Sequence, residues 1–388
     1  METIIEKNER IQMDFVRSTD ELINKAISKR ASDIHIEPVA NEKVRVRFRI
    51  DGVLENVILM SMTLYRGILT RIKVLAGMDI AESRWPQDGN IVWKHERCSG
   101  CRVSTMPTVF GEKVVIRLLS TSSQIFSLPH LGITDEQNRM IRYLTAKKQG
   151  MILICGPTGS GKTTTLYAIL QDLSEKPINV VSLEDPVEIE IPEITQIRIS
   201  EKRVNYECAL SAVLRQDPDV IAIGELRNEK VARMAVRAAM TGHLVLSSLH
   251  TQSALESIIR LNEIRLPVWQ IKSVLSGVIA QSLVRRICPR CKQHRFPTKE
   301  ECIEWELDPE QEIFYGQGCS YCDHSGYYGR IGVFEVLVCD DHLKQCLYDG
   351  ADIYELKRSV NAFQTMRNQV RQLIVDGVTT TEEGKGIV

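Results

Sequence analysis

The strongest structural signal in this 388-residue chain is at residues 156–163, which read Gly156-Pro157-Thr158-Gly159-Ser160-Gly161-Lys162-Thr163. They match the pattern G-x-x-x-x-G-K-[ST] and lie between an apolar, strand-like run and a helical pattern, as a phosphate-binding loop requires. The glycines let backbone N–H groups curve around an anion, and the helix start adds the positive end of its dipole. The alternative is a glycine-rich turn without a ligand. The residues that we expect to bind the nucleotide cofactor are Gly156, Thr158, Gly159, Ser160, Gly161, Lys162, Thr163, Thr164 and, further along the chain, Asp185.

The chemistry of such a loop gives separate tasks to two of these residues. Lys162 is expected to reach the β- and γ-phosphates, and the Thr163 hydroxyl is expected to ligate Mg²⁺. The apolar run Val220–Ile223 comes shortly before Glu225, which looks like a Walker B strand with glutamate in place of the usual aspartate. An acid at the carboxyl end of a strand beside the loop can hold Mg²⁺ or its water ligands. The alternative for Glu225 is an ordinary surface acid.

Acids and histidines follow or flank two further apolar runs. Glu184 and Asp185 come after the first run, and acids at the carboxyl end of a strand in an open α/β sheet point into the ligand crevice. Glu184 is expected to act on the attacking water as a general base. His243 and His250 flank the second run, and we expect them to sense the γ-phosphate or position water. On spacing alone, a solvated acidic loop is the favoured interpretation of the two acids, and a lone histidine is more often structural than catalytic.

The apolar runs and helical patterns predict the architecture. In the second part of the chain, short runs rich in Val, Ile and Leu alternate with helical segments such as Thr163–Leu173 and Glu229–Met240. This alternation indicates a parallel sheet covered on both faces. In the first part, alternating strands such as Val44–Ile50 accompany a predicted helix, Leu64–Ala76. The sequence therefore predicts an α/β protein in which an α+β domain precedes a P-loop domain.

Two C-x-x-C pairs near the C-terminus indicate a metal centre. Four thiolates at this spacing suit a tetrahedral structural zinc, and the residues are Cys288, Cys291, Cys319 and Cys322. Four free thiols and an iron–sulfur centre are the alternatives. A third pair, Cys98 and Cys101, has no partner pair nearby and is interpreted as free thiols on a hairpin.

The composition of the chain argues against nucleic-acid binders, membrane-spanning proteins and secreted proteins. The chain carries 49 basic and 50 acidic residues, a formal net charge of -1, so it has no electrostatic footprint of a nucleic-acid binder. No apolar run reaches the roughly 18 to 20 residues that span a bilayer, and the charged N-terminus is unlike a signal peptide. We therefore expect a cytosolic protein, in which a disulfide framework is not expected.

Together and in this order, the motifs resemble the type II secretion and type IV pilus assembly ATPases, from about Asp14 onward. In the first part the resemblance is carried by Ala31-Ser-Asp-Ile-His-Ile-Glu-Pro38, Arg71-Ile-Lys-Val-Leu-Ala-Gly-Met-Asp-Ile-Ala81, Pro86-Gln-Asp-Gly89, Arg102-Val-Ser-Thr105 and Gly111-Glu-Lys-Val-Val115. In the second part it is carried by the phosphate-binding loop, Glu184-Asp-Pro-Val-Glu188, Leu214-Arg-Gln-Asp-Pro-Asp219 and the segment from Thr241-Gly-His243 to His250-Thr251.

The resemblance implies a domain plan and site roles. The plan is an N-terminal tail at 1–13, a PAS-like domain at 14–122, a linker at 123–128 and a RecA-like ATPase domain at 129–388, which includes a tetracysteine module at 286–328. The roles place Glu184 and Asp185 in the family's Asp box, Glu225 in its Walker B motif, and His243 and His250 in its His box. One departure follows the Walker B glutamate, where the family generally has Arg-Asp and this chain has Arg227-Asn228.

The resemblance also implies partners and cofactors. Such proteins form rings of six subunits whose active sites lie between the two domains, and first-domain arginines reach the phosphates. By motif position the candidates are Arg71, Arg84 and Arg102. The expected cofactors are ATP, Mg²⁺ and Zn²⁺, and the expected partner is an inner-membrane platform protein, which would hold the chain at the cytoplasmic face of the membrane. No direct contact with nucleic acid is expected.

The tetracysteine module favours an assembly motor, because the family's retraction ATPases lack it. The chain is therefore expected to power assembly of a type IV pilus or of a type II secretion or competence pseudopilus. Two other classes compete with this interpretation. One is a nucleotide-binding scaffold without meaningful turnover, and the other is a DNA-translocating ATPase, which the near-zero net charge disfavours.

Overall fold

The computed structural model describes residues 4–120, 127–200, 204–349, 351, 353–360 and 364–387. The chain divides into two compact units, Met1–Ser123 and Gln124–Val388. Of the predicted linker, residues 123–126 lie outside the described residues, as do residues 1–3 of the predicted tail. The domain limits predicted at 14–122 and 129–388 therefore stay a prediction.

The first unit is an antiparallel sheet with two helices. In chain order its elements are α1 (Ile4–Ser28), β1 (Ala31–Val39), β2 (Lys43–Ile50), β3 (Val53–Ser61), α2 (Met62–Leu75), β4 (Gln87–His95), β5 (Cys98–Thr108) and β6 (Gly111–Ser120). The strand order is β3-β2-β1-β6-β5-β4, and all neighbours run antiparallel. The expected α+β class is confirmed. The first helix starts at Ile4, so it includes residues 4–13 of the predicted tail.

Side-chain alternation explains which face of this sheet is buried. In β2, Val44, Val46 and Phe48 are fully buried, whereas the arginines between them lie on the other face. Successive strand residues point to opposite faces, so this sequence can bury only one of them. Cys98 and Cys101 are free, as expected, and both are buried in β5.

A buried ion pair joins the first unit's second helix to its last strand. The Lys73 ammonium lies 2.7 Å from the Glu112 carboxylate, and both side chains are at least nine-tenths buried. Lys73 also donates to the Glu82 carbonyl at 2.6 Å, and the Tyr65 hydroxyl donates to the Glu112 carbonyl. Removing one partner of such a pair leaves an uncompensated charge in the core.

The second unit is built on a seven-stranded sheet. Its helices are α3 (Asp135–Thr145), α4 (Lys162–Ser174), α5 (Tyr206–Val213), α6 (Glu229–Met240), α7 (Ala254–Glu263), α8 (Val268–Val274), α9 (Lys299–Trp305), α10 (Asp341–Tyr348), α11 (Ile353–Ser359), α12 (Met366–Val375) and α13 (Thr381–Lys385). Its strands are β7 (Gly150–Cys155), β8 (Val180–Glu184), β9 (Thr195–Arg198), β10 (Val220–Ile223), β11 (Leu244–Leu249), β12 (Leu275–Ile287), β13 (Lys292–Arg295), β14 (Ile313–Gly316) and β15 (Tyr327–Val338). Short 3₁₀ turns cover Leu128–Leu131 and Ser320–Cys322.

The strand order of this sheet is β15-β12-β7-β11-β10-β8-β9, and only the β12–β15 pair within it is antiparallel. Every residue of β7 is buried: Met151 and Leu153 pack into the core on one face, and Ile152 and Ile154 into the core on the other. The predicted parallel sheet with both faces covered is confirmed. No helix in the described part of the chain is both long and apolar enough to cross a bilayer.

We expect Lys73→Met to lower the opening free energy of the first unit by about 3–5 kcal/mol, because Glu112 is left as an unpaired buried charge. Hydrogen exchange of β5 and β6 peptides, followed by mass spectrometry, measures this loss. The exposed Lys94→Met is the matched control. Adding Glu112→Gln to Lys73→Met should recover part of the loss, and equal protection of Lys73→Met and the control would contradict the prediction.

Candidate functional site

The phosphate-binding loop connects the carboxyl end of β7 to the start of α4. Gly156 packs so closely that a Cβ there would lie 2.3 Å from the Gln281 carbonyl oxygen. Gly161 caps α4 with a φ of 87°, in the left-handed region that favours glycine. The local sequence therefore forms a tight turn that leads directly into the helix N-terminus, where N–H groups can hold an anion.

Two side chains of the loop have the positions that phosphate binding needs. The Lys162 ammonium donates to the Gly156 carbonyl at 2.7 Å and to the Pro157 carbonyl at 3.0 Å, so its charge is held over the loop. The Ser160 hydroxyl is buried and has no hydrogen-bond partner among the described residues. Thr163 and Thr164, in the first turn of α4, are exposed. These features fit the binding of a nucleotide phosphate. The exposed Thr163 hydroxyl is accessible to a metal ion next to that phosphate.

A continuous chain of polar contacts links Lys162 to the acids on the neighbouring strands. His250, which follows β11, lies 3.4 Å from the Lys162 ammonium through Nδ1 and 3.1 Å from a Glu225 carboxylate oxygen through Nε2. Arg227 pairs with the other oxygen of Glu225 and, at 3.0 Å, with Asp185. The structure therefore brings together Lys162, Glu225, Asp185 and His250, four of the residues predicted from the sequence.

The electrostatics of this group favour an ionised Glu225. Burial raises the pKa of Glu225, but the hydrogen bonds and charges of Arg227 and His250 outweigh it and hold the pKa below its usual value. Burial lowers the pKa of Lys162, and the negative charge of Glu225 opposes that shift. An ionised glutamate beside a phosphate-binding loop is the kind of oxygen ligand that Mg²⁺ prefers, so Thr163 and Glu225 fit the predicted magnesium site.

Glu184 lies outside this group, in a buried network of hydrogen bonds. Its side chain is buried, with 5% of the residue exposed. The Tyr167 hydroxyl, the Ser182 hydroxyl and the Gln196 amide, the last at 3.0 Å, all donate to its carboxylate. These three donors hold the Glu184 carboxylate in a buried network, and its expected role as general base stays a prediction.

His243 is also not part of this group. It precedes β11, whereas His250 follows it, so the strand's six residues separate them by about 20 Å. His243 Nδ1 lies 2.9 Å from the Ala238 carbonyl, and the His243 carbonyl accepts from Gly150 at the start of β7. The structure therefore places His243 at the opposite edge of the sheet from the loop. Its expected contact with the γ-phosphate stays a prediction.

The three candidate arginines belong to the first unit and have different surroundings. Arg84 is exposed and pairs with Glu82 at 3.2 Å. Arg71, in α2, is half-buried, and its Nε is buried without a hydrogen-bond partner among the described residues. Arg102, in β5, is half-buried and lies opposite Arg117 on β6. Their action on a nucleotide stays a prediction.

Sequence reasoning missed two residues that organise the site. Arg227 joins Glu225 to Asp185, and its only sequence signal is its place two residues after Glu225. Tyr167, in α4, donates to Glu184 and accepts from the Glu188 N–H at 3.0 Å, so it ties the phosphate-loop helix to the segment after β8. One turn of helix separates Tyr167 from the loop, but nothing in the sequence indicates its partner.

The tetracysteine cluster has the geometry of a closed metal site. Neighbouring sulfurs lie 3.8–3.9 Å apart, and all four lie within 4.8 Å of one another: Cys288, Cys291, Cys319 and Cys322. A tetrahedral Zn²⁺ with bonds of about 2.3 Å needs sulfurs about 3.8 Å apart. Backbone N–H groups of Gly318 and Cys319 also donate to cluster sulfurs, at 3.3 and 3.2 Å. The residues present therefore fit zinc.

Cys291→Ser is expected to lower the zinc content from about one ion per chain to well below one, because a closed structural site needs four ligands. Elemental analysis of the purified protein measures the metal, and hydrogen exchange of residues 288–328 measures the accompanying loss of protection. Cys302→Ser, in α9 and outside the cluster, is the control and should keep the ion. A wild-type protein without a bound metal would refute the assignment.

Comparison with known proteins places the chain in a family. The model for the family of type II/IV secretion system proteins matches residues 9–385. The type II secretion system protein E of Pseudomonas aeruginosa is 40% identical over 373 residues, which cover 95% of this chain and 74% of that protein. The type IV pilus assembly ATPase TfpB of Acinetobacter baylyi is 37% identical over 377 residues, which cover 95% of this chain and 64% of that protein.

Solved structures share the fold at lower identity. The ATPase DotB of Legionella pneumophila has a TM-score of 0.69 at 20% identity, covering 95% of this chain and 94% of that chain. The pilus retraction motor PilT, solved with bound ADP, has a TM-score of 0.64 at 24% identity, covering 95% of this chain and 96% of that chain. On the sequence relationships above, the chain belongs to the type II/IV secretion system protein family and is one of its ATPases.

Proposed function

We propose that this ATPase uses Mg²⁺–ATP to power the assembly of a type IV pilus or of a type II secretion or competence pseudopilus. The observation that carries the proposal is the contact chain from Lys162 through His250 to Glu225, with separations of 3.4 and 3.1 Å. It unites a phosphate-binding cation and a metal-binding acid at one edge of the sheet. The biological process is taken from the relatives, which are named type II secretion system protein E and type IV pilus assembly ATPase TfpB.

The division of labour follows from these positions. The loop N–H groups and Lys162 would bind the β- and γ-phosphates. Thr163 and Glu225 would hold Mg²⁺, which would supply positive charge to the phosphates. Asp185 supports the metal side of the site, and His250 keeps Glu225 oriented. Catalysis of this kind consists mainly of positioning and of electrostatic stabilisation of the transition state.

The working unit is proposed to be a ring of six identical subunits. A ring closes when each interface joins two different surfaces and the rotation completes a circle. First-domain arginines, with Arg71, Arg84 and Arg102 as candidates, are proposed to complete the charge around the phosphates. The ring would act at the cytoplasmic face of the inner membrane by docking on a platform protein. Zinc would stabilise the tetracysteine module. No contact with nucleic acid is proposed.

Lys162→Ala is expected to reduce ATP turnover by roughly 100-fold or more, because it removes a preorganised charge from the phosphates. Steady-state phosphate release, measured over a range of protein concentrations, tests this. Wild-type turnover per subunit should rise with concentration if sites are completed between subunits. The exposed Lys176→Ala is the control and should behave as wild type. Wild-type turnover no faster than that of Lys162→Ala at every concentration would favour a scaffold.

Glu184→Gln and Glu225→Gln are expected to have opposite effects on Tm and on ATP turnover. Glu184→Gln weakens a buried hydrogen-bond network by roughly 1 kcal/mol or more, which should lower Tm by about 2–4 °C, and its turnover should stay well above that of Glu225→Gln. Glu225→Gln should keep its Tm and lose turnover. Differential scanning calorimetry and phosphate release measure both quantities.

Glu188→Gln is the control for this pair, because Glu188 is exposed in the same segment. It should change neither Tm nor turnover. If Glu184→Gln kept the wild-type Tm but lost turnover as completely as Glu225→Gln, Glu184 would have to act on water after all.

A further inference from the structure

Arg227 forms ion pairs with both acids of the proposed magnesium site, Glu225 and Asp185. Its guanidinium pairs with Glu225 Oε1 and, through Nη1, with Asp185 Oδ2 at 3.0 Å. The other oxygen of Glu225 accepts from His250 at 3.1 Å. Both oxygens of Glu225 therefore already have a cationic or hydrogen-bonding partner, and Arg227 also holds the nearest oxygen of Asp185.

These two acids come from neighbouring strands. Glu225 follows β10 and Asp185 follows β8, and the two strands are paired in parallel up to Leu183 and Ile223. Two carboxylates brought this close repel each other unless a cation lies between them. Arg227 supplies that positive charge in the structure.

A magnesium ion and this guanidinium compete for the same place. Carboxylate oxygens are the ligands that Mg²⁺ uses, and its octahedral shell leaves little room beside it. The ion also repels a neighbouring guanidinium. A Mg²⁺ ion held by Glu225 therefore favours a position of the Arg227 side chain away from the two acids.

The loop that carries Arg227 allows the side chain to move while the backbone stays in place. Leu226 N donates to the Ser248 carbonyl at 3.2 Å, and the Asn228 side chain caps α6 by accepting from Val231 N at 2.9 Å. The backbone is thus fixed on both sides of Arg227. The Arg227 side chain itself is 44% exposed, so water is available to solvate the guanidinium when it leaves the acids.

We propose that Arg227 is an internal counter-ion, which holds Glu225 and Asp185 while the metal is absent and is displaced when Mg²⁺ arrives with the nucleotide. The inference rests on the proposed magnesium-dependent function and deepens it. Arg227 is a positioning residue in this scheme, because it acts on the reaction through the two acids. Its charge determines how strongly nucleotide binding depends on Mg²⁺.

The test compares Arg227→Gln with wild type in two buffers, one with Mg²⁺ and one with EDTA. The dissociation constant of a fluorescent ATP analogue is measured in each buffer. The ratio of the EDTA value to the Mg²⁺ value measures how strongly nucleotide binding is coupled to Mg²⁺ binding. Without Arg227 the acids repel the phosphates when metal is absent, and the ion meets no competitor when it is present. We expect the ratio to rise about tenfold, within the usual range for coupled sites.

Arg233→Gln is the matched control. Arg233 pairs with Glu229 at 2.8 Å on the exposed face of α6, close in sequence to Arg227 but away from the two acids. Its substitution should leave the ratio at the wild-type value. Arg227→Lys should give an intermediate ratio, because an ammonium keeps the charge but cannot bridge two acids with a rigid fork.

A second measurement separates this inference from the proposed function. Without nucleotide, Tm of Arg227→Gln should fall in EDTA and recover in Mg²⁺, while wild type and Arg233→Gln respond little. An equal fall of Tm in both buffers with an unchanged ratio would overturn the inference and make Arg227 a structural brace. Failure of wild type to bind the ATP analogue at all would instead overturn the proposed function, and the Tm comparison would still decide the role of Arg227.

Discussion

The parallel pairing of β7, β11, β10 and β8 is the constraint on which the site depends. Each strand is buried on both faces and ends at the same edge of the sheet. The chain places one functional group just beyond each of these ends: the phosphate-binding loop, His250, Glu225 and Asp185. Because close-packed strands cannot shift independently without opening voids, the spacing of these groups is a property of the core.

The parts of this arrangement that the sequence predicts are those with a strong period or a complete motif. Helix α6 is predicted and observed at the same limits, Glu229–Met240, because Asn228 caps a regular apolar pattern. The loop at residues 156–163 identifies the strand and helix around it. The tetracysteine cluster follows from ligand spacing alone.

The positions of the Glu184 and His243 side chains are not predictable from the motifs, because a motif gives the order of residues but not the direction of each side chain. Glu184 is still part of β8 and faces Tyr167 in α4, whereas Asp185 lies one residue further on and faces Arg227. A difference of one position decides which acid reaches the crevice. His243 and His250 look equivalent beside one apolar run, yet a strand of six residues separates them. The bridging position of Arg227 depends on two strands that are not adjacent in the sequence.

Strand β12 pairs antiparallel with β15 and makes hydrogen bonds to other parts of the second unit at two points along its length. Near its middle, β12 carries Gln281, whose amide donates to the Ser160 carbonyl of the phosphate-binding loop at 2.6 Å. At its end, Ile287 N donates to the Val378 carbonyl at 2.8 Å, and the next residue is the cluster ligand Cys288. Seven residues of extended chain, roughly 20–25 Å, join the two. Because β12 is hydrogen-bonded to β7 on one side and to β15 on the other, it holds the phosphate-binding loop and the cysteine module at a defined separation.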